Sequence, residues 1–225
     1  MATKEQAIMR KKYRMTDETI EVDGKTLHRI EALIDIPYAK VKAGDKGGFI
    51  ESEENLSQEG GCWVGGIAQV FSKTQVSGNA QVFDNARVFG NAHVCGNAEV
   101  FKDAQVSGNA QVFGNAQVYD NAHAFWHAYI YGDAVVSGNA KVGGNAQVSG
   151  DAWVSDNARV SGNAWVSGNA CVHHNVQVSG RAEVYDDAYV YDNAKVAGHA
   201  YVGGNAQVGS KAKVSGNAKM FGKDA

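Results

Sequence analysis

Gln75-Val76-Ser77-Gly78-Asn79-Ala80 recurs, with small changes, from Trp63 to Asp224. That stretch divides into 27 consecutive hexads without insertion or slip. The second place is Val in 24 hexads, the exceptions being Ala124, Ile130 and Met220. The sixth is Ala in 24, the exceptions being Thr74, Val176 and Asp224, and the fifth is Asn or Asp in 20. A short fixed period with one apolar slot is the signature of a repeat architecture, in which each unit buries its apolar side chain only by stacking on its neighbours.

One hexad reads directly. Strand side chains alternate, so in x-Val-x the Val points one way and its neighbours the other. Val is β-branched and suits a packed strand face. Gly-Asn and Asp-Asn are turn formers that tolerate left-handed or bridge conformations. Ala then re-enters the interior at a corner. Each hexad is a short strand plus a bend.

The fourth place sets the number of hexads per coil. Taking every third hexad from Trp63, the first class has Gly66, Asp84, Lys102, Asp120, Gly138, Asp156, His174, Asp192 and Ser210 there. The second class departs from Gly only at Ser72 and Trp126, the third only at Asp186. This 18-residue superperiod predicts an all-β fold: a triangular parallel β-helix of nine coils with three hexads each. At roughly 4.8 Å between stacked strands, the prism is about 40 Å long.

These residues resemble the hexapeptide-repeat, left-handed β-helix (trimeric LpxA-like) superfamily. Left-handed winding is what the resemblance implies; generic parallel crossovers are right-handed. The segment Val41 to Ile50, with Leu56-Ser57-Gln58 and Gly61-Cys62-Trp63-Val64, is similar to the entry segment of YdcK-like proteins of enteric bacteria and phages. Those are generally described as acyltransferases of unsettled substrate.

Residues 1–62 read as a small N-terminal β cap and residues 63–225 as the repeat domain. A stacked solenoid ends in unpaired backbone groups that must be covered. A short helix is expected over Thr3 to Tyr13. Asp23-Gly24 between Thr19–Val22 and Lys25–Leu33 reads as a two-residue hairpin turn. At the far end Lys211, Lys213, Lys219 and Lys223 are expected to blunt the last coil electrostatically, with Asp224 at an inward corner.

The charge balance is 21 basic against 24 acidic residues, net −3, so neither specific DNA binding nor a strongly acidic surface is implied. Cys62, Cys95 and Cys171 have no metal-site spacing, and the last two fall on different faces. Free thiols point to a reducing, cytoplasmic compartment. The N-terminus lacks an apolar signal region, no run reaches transmembrane length, and no metal site is expected.

Places one and three face outward. On the second class, place one carries Arg87, His123, Lys141, Arg159, Lys195 and Lys213. These cations suit an anionic ligand, a nucleotide or an acidic protein; the alternative is a solvated face. The first class carries Phe83, Phe101 and Tyr119 on successive coils, with Trp153 beyond. Exposed aromatics mark contacts, here a homo-oligomer, dimer or trimer, while aromatic ladders also stabilise stacked strands by themselves.

In the resembling acyltransferases a His between protomers is the general base and acyl-CoA lies along the interface. His93, His123, His127, His173 and His174 are the candidates here, and the most altered hexad of the repeat, His123-Ala124-Phe125-Trp126-His127-Ala128, puts His123 and His127 first. Yet no loop interrupts a hexad to build an acyl-CoA site. The reading is therefore a non-enzymatic oligomeric scaffold or binding module without cofactor. A CoA-dependent acyltransferase and an anion or nucleotide binder are the alternatives.

Overall fold

The computed structural model describes residues 11–222. Strands β1 (Tyr13–Val22), β2 (Lys25–Ala32) and β3 (Lys46–Ile50) form the cap. The β1–β2 hairpin turns at Asp23 and Gly24, both at positive φ (51° and 76°), as a two-residue type I′ turn demands. Tyr13 opens β1, so the helix expected over Thr3 to Tyr13 is not found at its end; residues 3–10 lie outside the described residues, as do Lys223 and Asp224.

Beyond β3 come 27 short strands, one per hexad, from Trp63–Val64 to Lys219–Phe221. They sort into three parallel sheets of every third hexad, confirming the 18-residue coil. Side chains at the second place from Val64 to Val214 are buried, as are those at the sixth from Ala68 to Ala206. Thr74 and Val176, at two of the exceptional sixth places, are buried as well. Only at the last coil does the pattern open, where Met220 is 37% exposed.

Cap and prism share a sheet. β3 pairs antiparallel with β2 and parallel with Gln69–Val70, and Leu56 bridges Val76 in parallel. Residues 49–56 thus begin a coil ahead of the first hexad, giving about ten turns. The end of the prism is closed by satisfied polar groups. Asn55 Nδ2 donates to Ser72 O (2.9 Å) and Thr74 O (3.0 Å). The buried Lys12 ammonium donates to Cys62 O at 2.9 Å and reaches Glu59 O at 3.3 Å. Tyr13 Oη donates to Leu56 O at 2.6 Å, and burial pushes its phenol pKa well up.

All three corners share one backbone. The fourth-place residue has φ between 56° and 82° in every hexad from Gly66 to Gly216. The superperiod therefore lies in side chains, not in backbone conformation. In the first class, Asp120 accepts the N–H of Gly138 one coil on (3.2 Å), Asp156 that of His174 (2.9 Å) and Asp192 that of Ser210 (3.1 Å). A carboxylate there caps a corner N–H that the parallel ladder leaves over. The fifth-place Asn stays out of the left-handed region; its amide instead stacks in ladders, as from Asn79 to Asn97 (3.1 Å) and Asn97 to Asn115 (2.9 Å).

Candidate functional site

The cap hairpin lies against the second face. Leu27, Phe49 and Phe71 form a separate buried cluster, with Ile20, Val22 and Phe89 packed on it. Arg87 extends this contact: its guanidinium pairs with Asp23 (2.7 Å) and lies over the rings of Phe71 and Phe89. Arg87 thus holds the cap and drops out of the expected anion-binding column, because its charge is already met.

Higher on the same face the register places Lys141 beside Arg159 and Lys195 beside Lys213. All four are exposed and, among the described residues, none forms an ion pair. Like charges directly opposite on a sheet destabilise it, and a bound anion would relieve that cost.

His123 stands one coil before Lys141 on this face. With Ser107, Gly108, Phe125, Trp126 and Lys141 it lines an open recess of about 320 Å³. Burial, then Lys141, lowers its imidazole pKa below the ordinary value. Among the described residues no hydrogen bond orients the His123 ring, and His127 is exposed. Trp126 occupies a left-handed corner at φ 59° and is 63% exposed, its ring edge-on to Phe125.

The first-face aromatics form a stack. Ring centroids of Phe83 and Phe101 are 5.0 Å apart, and those of Phe101 and Tyr119 4.8 Å, all half-buried. Lys102 sits over Tyr119 and pairs with Asp120 at 2.6 Å. Trp153 differs. Its indole N–H donates to Ser137 Oγ of the preceding coil at 3.2 Å, so the ring lies along the prism with half its surface open (50%). Trp165, on the third face of the same coil, repeats the arrangement on Ser149 at 3.0 Å.

His173 and His174 are candidate bases in the sequence, but their grouping with Asp156 is visible only in the fold. Asp156, His173 and His174 are 17 or more residues apart in part, but one coil apart in space, and their donor atoms lie within 4.8 Å of one another. The signal was present in the His173-His174 doublet, which breaks the third and fourth places of one hexad. Burial, then His174, lowers the His173 imidazole pKa, against Asp156 and Asp192. Burial raises the Cys171 thiol, keeping it protonated and a poor nucleophile.

Cys62, Cys95 and Cys171 are all unpaired thiols. No helix of the described residues is long and apolar enough to cross a membrane. No curated protein matches the chain. The family model described as the YdcK β-solenoid repeat matches residues 80–96, 104–120, 146–162 and 152–168. Those matches cover about a quarter of the chain and lie on strands and corners of the prism, so its repeat is similar to the YdcK β-solenoid repeat, and the three parallel sheets make the fold a parallel β-solenoid.

Proposed function

We propose that the chain is a non-enzymatic scaffold or binding module, cytoplasmic, whose copies associate through the prism faces as dimers or trimers. The carrying observation is Trp153, a ring pinned by Ser137 yet half exposed on a flat, regular face above the Phe83, Phe101, Tyr119 stack. A rigid, exposed Trp loses little conformational freedom on contact, and Trp is the residue most enriched among energetic anchors of interfaces. Unpaired thiols on three unconnected coils fit a reducing compartment. Light scattering after size exclusion gives the expected mass of a dimer or trimer, and Trp153→Ala lowers it. A wild-type monomer of 23.9 kDa at high concentration overturns the reading.

The basic pairs support a second reading, weak binding of polyanions on the second face. Replacing Lys141, Arg159, Lys195 and Lys213 by Gln is expected to reduce retention on heparin and flatten its salt dependence. Identical elution of the variant leaves the lysines and arginine as solubilising charges only.

A further inference from the structure

We propose that Asp156, His173 and His174 bind a borderline divalent transition-metal ion of the zinc class on the first face. The geometry of His173 carries this inference. Among the described residues neither of its ring nitrogens has a hydrogen-bond partner, and Nε2 is sealed from solvent. Its ring lies against those of His174, Tyr189 and Tyr191, with centroids at 4.3, 4.8 and 6.2 Å. Nδ1 faces Asp156 Oδ2 at 3.8 Å, beyond hydrogen-bond range. Two ligands of one tetrahedral ion, each about 2.0–2.1 Å from it, are spaced by roughly 3.4 Å. The pair is set like two ligands awaiting a common cation, not like a donor and its acceptor. With the proton on the sealed Nε2, the Nδ1 lone pair confronts a carboxylate, and a cation between them turns that repulsion into attraction.

His174 completes the set from the corner. It takes the left-handed place (φ 61°) that Asp156 and Asp192 hold on the coils before and after. Its Nδ1 lies 3.3 Å from Asp192 Oδ1 and equally 3.3 Å from Asp192 N. It can therefore accept the backbone N–H, as a corner Asp would, or donate Nδ1–H to the Asp192 carboxylate. The second arrangement frees the Nε2 lone pair and gives the carboxylate–imidazole–metal relay that orients metal-binding histidines. Asp156 Oδ2 already accepts the His174 N–H at 2.9 Å, which fixes the carboxylate in place with Oδ1 open.

A way in exists. Trp153, Ser155, Asp156, Cys171, His173 and Tyr189 line a recess of about 330 Å³, formed because the small Cys171 stands between two large rings on adjacent coils. Two imidazoles and a carboxylate select zinc, cobalt, nickel or copper over magnesium and calcium, which prefer all-oxygen shells. Water fills the remaining position.

The test is titration of chelator-treated full-length protein with Co²⁺, followed by its visible absorption, and competition by Zn²⁺. One Co²⁺ per chain is expected, displaced by Zn²⁺ and not by excess Mg²⁺. His174→Ala and Asp156→Asn, both at exposed corners, are each expected to weaken binding tenfold or more while circular dichroism stays unchanged. His199→Ala, on an exposed fifth place elsewhere, leaves binding intact. Absence of saturable binding below millimolar metal overturns the proposal. So does equal affinity of the His174→Ala and Asp156→Asn variants and wild type, which places the ion elsewhere.

Discussion

Two corner glycines with the same backbone separate the conformational from the steric role of glycine in this repeat. Gly150 and Gly216 both have φ of 68°. A Cβ on Gly150 would meet Gly168 O at 2.9 Å and Gly168 N at 3.0 Å on the next coil, whereas a Cβ on Gly216 meets nothing within 4 Å. At Gly216, Ala carries only the left-handed penalty of about 1–2 kcal/mol. The stiffer unfolded chain offsets about 0.4–1 kcal/mol of it, leaving a net loss of about 1 kcal/mol. At Gly150 the same change also pushes on the backbone of the next coil, and overpacking adds about 1–3 kcal/mol. The expected loss is then about 2–4 kcal/mol. Gly150→Asp is expected to fall between the two. Its carboxylate can take the Gly168 N–H as Asp120 takes that of Gly138, returning about 1 kcal/mol. Urea unfolding followed by circular dichroism measures all three. Equal losses at the two glycines, or a greater loss for Gly150→Asp than for Gly150→Ala, would refute the account of the corners.

Two further perturbations probe the core and the cap. Val148 is fully buried between Ile130 and Val166 on the neighbouring coils, so Val148→Asp strands an unpaired carboxylate and is expected to cost roughly 3–5 kcal/mol; an unchanged melting curve would contradict the inward assignment. Glu51 accepts from Lys25 Nζ (2.6 Å) and Ser72 N (2.6 Å), which hold its pKa below the ordinary carboxylate value. A depressed folded-state pKa stabilises above the unfolded value and is lost as pH falls through the folded one. Wild type is therefore expected to lose stability below about pH 4.3 more steeply than Glu51→Gln, and parallel acid profiles would rule this out.

The prism was legible because its information is local. Val76 or Val148 declares its inward direction through its neighbours alone, and the fourth place reveals the coil by counting. What escaped reading depends on residues brought together across coils. Nothing near Asp120 in sequence says that it caps Gly138, and nothing near Arg87 says that Asp23 will reach it. The entry into the first coil was visible only through its resemblance to YdcK-like entry segments, for a related reason. Phe49 and Ile50 pair with Gln69 and Val70 without any hexad of their own, because strand pairing requires backbone register and not the repeat motif. The Asp156, His173, His174 cluster belongs to the same class, since its first member sits a full coil from the doublet.

The common corner conformation turns the prism into a ruler with two different graduations. Since every hexad presents the same backbone to its neighbours, a duplication or loss of 18 residues changes the length by one rung, about 4.8 Å, and leaves each column of side chains in phase. A change of six residues preserves the hydrogen bonding equally well but rotates everything beyond it by one face. Lys195 and Lys213 would then continue a different column from Lys141 and Arg159, and Tyr189 would no longer stand two rungs from Trp153. The fold thus tolerates two kinds of length change, while its surface chemistry stays aligned under only one of them.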